Sequence, residues 1–176
     1  HQLAGGLRSS MGYVGCAIIF VNFVYVFFYG YAISMVLANA AVMGATPTPP
    51  VLLVGGIGVA YGLRLGWFAW TRSRSAGYGG HRARAERANA DVPLPLRLFM
   101  WICCSWLMAF VAMPAWVVSI DPELSVGVIG GLVLAIVGLV VEALADQQKQ
   151  AAKAANPAGF VTAGLYARIR HPNYLG

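Results

Sequence analysis

The chain has 176 residues, of which 59% are apolar and only 10% are charged, and its formal net charge is +6. Soluble domains carry about 25% charged residues, so water is not the main solvent of this protein. Its basic residues flank apolar runs and form no solvated stripe with interleaved aromatics. We therefore expect anionic lipid headgroups and a phosphorylated cofactor as partners, and no nucleic acid. The three cysteines lie inside apolar runs without metal-ligand spacing, so no metal site is predicted.

Apolar runs that cross a hydrocarbon core of about 30 Å need roughly 20 residues. Four runs qualify, at residues 12–43, 51–71, 98–119 and 124–144. The first is long for one crossing, so we expect it to tilt, to bend near Gly30 or to extend beyond the bilayer. A cleaved signal peptide is the less favoured alternative, because signal-peptide apolar regions span only about 7–15 residues. The sequence thus predicts an all-α, polytopic transmembrane helix bundle of about four helices, in a single domain over 1–176.

The basic residues are unevenly distributed among the connectors. Arg8 precedes the first run, six arginines lie in 72–97 between the second and third runs, and two lysines and two arginines follow the fourth. The opposite connectors, 44–50 and 120–123, carry none. By the positive-inside rule, eleven of the twelve basic residues are cytoplasmic if both termini are. We therefore predict a cytoplasmic loop at 72–97, a cytoplasmic segment at 147–176 and both termini on the cytoplasmic side of the membrane.

Three charged residues stand in or next to apolar runs. Arg64 lies inside the second run, where an ionisable residue is a functional candidate by default; the alternative is a snorkelling side chain about 10 Å from the cytoplasmic helix end. Glu142 and Asp146 are four residues apart and share one helix face, with Lys149 nearly in line. Such carboxylates suit proton donation to a substrate or ion pairing with Arg64. The alternative is that they are water-facing residues at a helix end.

The last residues of the chain combine several groups that bind anions. Arg170 can hold a phosphate or carboxylate with its guanidinium fork, and His171 can donate or accept a hydrogen bond. Asn173 adds an amide and Tyr174 a ring for stacking, while Pro172 places the cluster outside a regular helix. The sequence predicts an anionic cofactor here.

Several of these stretches resemble a known family. They are Gly164-Leu165-Tyr166, Arg170-His171-Pro172-Asn173-Tyr174 and Gly176, preceded by Glu142, Ala145-Asp146, Gln148 and Lys149, together with the stretch 61–67 and Arg72. This pattern is similar to that of the bacterial membrane proteins of the steroid 5-alpha-reductase-like group, the DUF1295 family. Its Arg-His-Pro-x-Tyr-x-Gly core is shared with isoprenylcysteine carboxyl methyltransferases, phospholipid methyltransferases and sterol reductases. The upstream Glu-x-x-x-Asp-x-Gln-Lys element favours the reductase-like branch.

The resemblance implies a helical membrane fold with a cofactor cavity that opens to the cytoplasm. It implies an oxidoreductase in which NADPH reduces a carbon-carbon double bond of a lipid-like or steroid-like enone or alkene. By that analogy Glu142 polarises or protonates the substrate and Arg64 balances its charge. The cofactor-binding residues implied are Asp146, Lys149, Arg170, His171, Asn173 and Tyr174.

Two other functions remain open from the sequence. One is an S-adenosylmethionine-dependent membrane methyltransferase, in which Arg170 and His171 face the carboxylate of the cofactor. The other is a non-catalytic subunit or lipid-binding scaffold of a membrane complex. Family members of this type continue past the motif with an acidic residue and further membrane helices. We therefore expect the enzyme to need sequence beyond Gly176, or another membrane subunit, to complete the cavity.

Overall fold

The computed structural model describes residues 2–27, 29–74, 79–156 and 158–175. These residues form an all-helical fold in which no β-strand is found, so the predicted fold class is confirmed. The α-helices are Gln2–Cys16 (α1), Tyr29–Ala45 (α2), Pro49–Ser73 (α3), Gly79–Ala90 (α4), Leu94–Val111 (α5), Met113–Ile120 (α6) and Val126–Ala155 (α7). Short 3₁₀ segments occupy Ala17–Phe20, Phe23–Phe27, Gly164–Ala167 and Pro172–Tyr174.

Three helices in the described part of the chain, α3, α5 and α7, are long and apolar enough to cross a membrane. The helix α2 is apolar but has only 17 residues. With its 30 residues, α7 is about 45 Å long and exceeds a hydrocarbon core of about 30 Å. Its last turns, from residue 147 onward, are the polar continuation that the sequence analysis assigned to the segment after the fourth run.

Capping and proline residues set the helix ends. Thr48 is extended, and Pro49 and Pro50 fill the first turn of α3, where no intrahelical N–H is needed. At the start of α7 the Ser125 hydroxyl accepts a hydrogen bond from the Val128 N–H at 3.3 Å. The predicted helix 98–119 is divided between α5 and α6, because Pro114 has no N–H to donate to the Phe110 carbonyl.

The predicted single helix over 12–43 is wrong, because this run contains a chain reversal. The chain leaves α1 at Cys16, passes through two 3₁₀ segments and enters α2 at Tyr29. Ser34 of α2 donates to the Gly12 carbonyl at 3.4 Å, whereas Gly30 lies against Ile18, so the two helices are antiparallel. The reversal falls among β-branched and aromatic residues, which have low helix propensity.

Because of this reversal, Arg8 lies beside the opposite end of α5 from Arg97. Its Nη1 donates to the Ala109 carbonyl at 2.7 Å, while Arg97 at the start of α5 donates to the Ile19 carbonyl at 3.3 Å. Ala109 and Arg97 are twelve residues apart, about 18 Å along α5. The prediction that Arg8 lies on the same side as the arginines of 72–97 is therefore wrong for this fold. The predicted loop 72–97 also contains a helix, α4.

Helix α2 lies at the centre of the bundle and contacts α1, α3, α5 and α6. One core cluster joins α1, α2 and α5 and includes Ile19, Met35 and Met108; a second, around Val42 and Val51, joins α2, α3 and α6. In contrast, α7 contacts α3 and the two 3₁₀ segments that follow it. The sequence motifs near the C-terminus are therefore positioned by α3 and α7.

Candidate functional site

A buried ion-pair cluster joins α3 to α7. Arg64 Nη1 donates to Glu142 Oε1 at 2.8 Å, and Arg64 Nη2 donates to Asp146 Oδ2. The three side chains are only 19%, 13% and 12% exposed, respectively. The ion pair that the sequence analysis considered is therefore present, and each carboxylate takes one arm of the guanidinium.

The helical spacing explains this geometry. Residues four apart lie one above the other on a helix, so Glu142 and Asp146 present their carboxylates to the same neighbour. A guanidinium fork has two nitrogens in a fixed plane and can bind both. One positive charge opposite two carboxylates leaves one negative charge in excess. In an apolar environment such a charge favours the binding of a cationic group or of a hydrogen-bond donor.

The segment after α7 folds back onto that helix. The Leu165 N–H donates to Gln148 Oε1 at 2.9 Å, which fastens the 3₁₀ turn Gly164–Ala167 to α7. Gly164 has φ +63°, a left-handed conformation that favours glycine, and a Cβ there would lie 2.5 Å from the Gln148 oxygen. The next 3₁₀ turn, Pro172–Tyr174, packs on α7 through the fully buried Pro172. The motif thus adopts a defined structure against α7.

Glu142 also lines a large, mostly apolar cavity of about 1210 Å³. The cavity lies between α7 on one side and α2, α3 and α6 on the other. Asn173 and Tyr174 of the terminal motif line it as well, together with Tyr61 of α3. The structure therefore brings together Arg64 and both carboxylates at one point, and Glu142 with two motif residues around one cavity.

Two buried polar atoms near the ion-pair cluster have hydrogen-bonding capacity that the described residues do not use. The Tyr166 hydroxyl and Asn173 Oδ1 are both buried, and neither has a hydrogen-bond partner among the residues that the structure describes. Burial raises the pKa of Tyr166 above its ordinary value, and the charge of Asp146 raises it further. The hydroxyl is thus neutral and can donate, while the amide oxygen can accept. Buried polar groups of this kind usually have a partner, which here could be supplied by a ligand.

Other predicted site residues lie outside the cavity wall. Arg170 and His171 are exposed, and the His171 ring is 5.6 Å from the Tyr174 ring, which is itself 81% exposed. Lys149 is half-buried on α7, one turn after Asp146. Gly176 of the motif is outside the described residues. The predicted roles of all these residues in catalysis and cofactor binding stay predictions.

The sequence analysis assigned no site role to some residues that the structure brings to this site. Asn39 of α2 lines the cavity although it stands in an apolar run, and Tyr61 lines the cavity near Glu142. A single amide in an apolar helix is a signal that could have been used. The role of Gln148 in holding Leu165 depends on a fold-back after α7 that no local pattern predicts.

Fold and site together define an all-helical protein with three helices suited to crossing a membrane, and with a charged cluster at the wall of an apolar cavity. The model of the family described as "Protein of unknown function (DUF1295)" matches residues 18–176, so the chain belongs to this family. The resemblance found in the motifs is confirmed at the level of this family. No curated protein matches the chain, and no solved structure matches it.

Proposed function

We propose that this protein is a membrane-embedded, NADPH-dependent reductase of a lipid-like or steroid-like enone or alkene. The observation that carries this proposal is the double position of Glu142. Its carboxylate is paired with Arg64 at 2.8 Å, and the same residue lines the apolar cavity with Asn173 and Tyr174. A charged group at the wall of an apolar cavity suits chemistry on an otherwise apolar molecule.

The cavity supports the choice of a lipid-like substrate. Ligand cavities typically have volumes of about 300–1,000 Å³, and this one, at about 1210 Å³, is large enough for a steroid-sized or acyl-chain molecule. Its wall includes many aliphatic side chains from α3, α6 and α7, for example Val54, Val118 and Leu139. A substrate that dissolves in the bilayer can bury its apolar part here.

The terminal motif offers groups that fit a phosphorylated cofactor. Arg170 and His171 are exposed cations or donors for its phosphates, with Lys149 as a further contact. Asn173 and Tyr174 are placed at the cavity, where the reacting part would lie. The Tyr166 hydroxyl and the Asn173 oxygen, which have no partner among the described residues, provide one donor and one acceptor for an amide group. When bound, NADPH would supply the hydride.

Reduction of a double bond also needs a proton. Arg64 holds Glu142 and Asp146 together, and Glu142 lies at the cavity wall. We assign to Glu142 the delivery of the proton to the substrate, or the polarisation of its carbonyl. Arg64 then compensates the charge that remains on the carboxylate. Asp146, held by the same guanidinium, keeps Arg64 in place and lies toward the cofactor segment.

The basic residues support an orientation with the site facing the cytoplasm, where NADPH is available. Arg72 and Arg74 at the end of α3, Arg97 at the start of α5 and Lys153 at the end of α7 belong to the side that the positive-inside rule assigns to the cytoplasm. We place the protein in the bacterial inner membrane, in contact with membrane lipids and with any further subunit that completes the cavity.

Binding of the two candidate cofactors tests the proposal. NADPH and S-adenosylmethionine are titrated by calorimetry into the full-length protein in detergent, with Arg170→Ala and Tyr174→Ala as site variants. Arg168→Ala, also exposed and two residues away from Arg170, is the matched control. We expect NADPH to bind, and binding to be lost in both site variants and kept in the control. Binding of S-adenosylmethionine would instead indicate a methyltransferase, and no binding of either would indicate a non-catalytic subunit or lipid-binding scaffold.

A further inference from the structure

The wall of the cavity contains a buried amide on a different helix from the ion-pair cluster, that of Asn39 on α2. Asn39 stands near the middle of α2, is 3% exposed and lines the cavity between Met35 and the α3 residues Gly58 and Tyr61. Placing an amide in a membrane-embedded apolar wall is unfavourable unless its hydrogen bonds are made. Its partners therefore indicate whether it serves the fold or a ligand.

The fold uses only part of the hydrogen-bonding capacity of Asn39. Its Nδ2 donates to the Met35 carbonyl at 2.9 Å. An amide carries two donors and an oxygen that accepts twice, and the bond to Met35 uses one donor. Asn39 Oδ1 does not belong to the fully buried described atoms that lack a partner. A ligand in the cavity that brings a donor can bind this oxygen.

The neighbouring helix leaves space for this amide. A Cβ at Gly58 would lie 2.5 Å from Asn39 Cγ and Nδ2 and 2.6 Å from Oδ1. Any larger residue at 58 would therefore displace the amide. The close contact with Gly58 and the bond to Met35 hold the Asn39 side chain at the cavity.

The distance between Asn39 and the ion-pair cluster indicates how far apart two polar groups of a ligand would lie. Gly58 precedes Arg64 by six residues, which is about 9 Å along α3. Arg64 is paired with Glu142, which lines the same cavity. Asn39 and Glu142 therefore mark two polar positions of the cavity wall, offset by about 9 Å along the axis of α3. The wall also contains the polar groups of Tyr61, Ser125, Asn173 and Tyr174.

We infer that Asn39 binds a hydroxyl group on the substrate at the end remote from the reacting double bond. The assignment of the reacting end to Glu142 rests on the proposed function, whereas the second polar position rests on the cavity alone. Asn39 then determines specificity: it selects lipid-like molecules that carry a hydroxyl about 9 Å from the group held at Glu142. Sites that pair with a substrate hydroxyl discriminate strongly against analogues that lack it.

The test uses two linear enones, 8-hydroxyoct-3-en-2-one and oct-3-en-2-one, which differ only in the terminal hydroxyl. Their binding to the full-length protein in detergent is measured by calorimetry, without any cofactor. We expect the hydroxylated enone to bind at least about tenfold more tightly. In Asn39→Leu this preference should disappear while the affinity for oct-3-en-2-one changes less than about twofold. Met35→Leu, which alters an apolar residue of the same wall, should keep the preference.

Three outcomes would overturn the inference: equal binding of both enones to the wild type, binding of neither, or an equal loss of both in Asn39→Leu. The last would assign Asn39 to helix packing alone. If Asn39→Leu does not fold, Gly58→Ala displaces the amide instead and should abolish the preference; an unchanged preference in that variant would contradict us. Because no cofactor is present, a hydroxyl preference in a protein that fails to bind NADPH would refute the reductase and leave the Asn39 site standing.

Discussion

Arg64 on α3 and Glu142 on α7 are 78 residues apart in sequence and are joined by a 2.8 Å hydrogen bond. This bond, with the second one to Asp146, is the main polar connection between α7 and the rest of the bundle. The remaining contacts of α7 are with α3 and with the two 3₁₀ segments that follow α7. The cluster therefore fixes the rotation of α7 and, with it, which residues face the cavity.

Removing Arg64 should destabilise the protein more than removing either carboxylate. Arg64→Met leaves two largely buried carboxylates without their guanidinium partner, and breaking a buried pair costs about 3–5 kcal/mol. Glu142→Gln leaves one guanidinium opposite Asp146, a balanced pair, so we expect a loss of about 1 kcal/mol. Thermal unfolding in detergent, followed by tryptophan fluorescence, measures the order. Arg168→Met on the exposed terminal segment is the control, and a lower melting temperature for Glu142→Gln than for Arg64→Met would contradict this account.

Gly164→Ala should loosen the terminal motif from α7. The left-handed φ of +63° costs a non-glycine residue about 1–2 kcal/mol, and the added methyl would meet the Gln148 amide. We expect faster hydrogen exchange over residues 161–175 and weaker NADPH binding, with little change in the exchange of α3 and α5.

Gly130→Ala is the matched control for that substitution. Gly130 lies within α7, and a Cβ there meets nothing within 4 Å. Because alanine is the better helix former by about 1 kcal/mol, this variant should be as stable as the wild type or more so. Equal exchange rates over 161–175 in Gly164→Ala and Gly130→Ala would show that the turn does not depend on the glycine.

Hydropathy was sufficient to predict three of the long helices. The runs 51–71, 98–119 and 124–144 fall largely within α3, α5 with α6, and α7, since about 20 predominantly apolar residues leave few alternatives. The run 12–43 was wrongly predicted as one helix because the reversal within it contains no charge, no proline and no glycine pair. Asn22 is the one strongly polar residue there. Contacts with α5 stabilise that turn, because the side chains of Trp101 and Arg97 donate hydrogen bonds to the carbonyls of Tyr13 and Ile19.

The site was predictable only where spacing along one helix carries the information. The positions of Glu142 and Asp146 on one face followed from their separation of four, and an arginine inside an apolar run indicated the partner. The cavity was not predictable, because it is formed by helices distant in sequence. Asn39 and Glu142 share it although 103 residues separate them.

Arg97 should hold the connection between α4 and α5. Its guanidinium donates to three carbonyl oxygens, those of Asn89 at 2.6 Å, Val92 at 3.2 Å and Ile19 at 3.3 Å. A lysine carries the charge on a single nitrogen and cannot reach all three. In Arg97→Lys we therefore expect faster hydrogen exchange over 17–22 and 88–96. Arg87→Lys, on the exposed face of α4, should leave these rates unchanged; faster exchange there as well would mean that charge alone, rather than the fork, orders the connection.

Substitution of Trp101 should show how much its contacts with α1 and with the reversal that follows contribute to stability. Its Nε1–H donates to the Tyr13 carbonyl at 2.9 Å, and its ring makes edge contacts with the rings of Tyr13 at 5.2 Å and Phe20 at 5.6 Å. Trp101→Phe keeps an aromatic ring but removes the hydrogen bond to the partly buried Tyr13 carbonyl, at a cost of about 1 kcal/mol. Trp106→Phe, one turn further and 55% exposed, changes the same residue type without that bond. The melting temperature in detergent should fall in Trp101→Phe and stay within about 1 °C of the wild type in Trp106→Phe, since surface substitutions change stability little. Equal melting temperatures for the two variants would mean that α1 is held by apolar packing alone and that the Tyr13 carbonyl finds another donor.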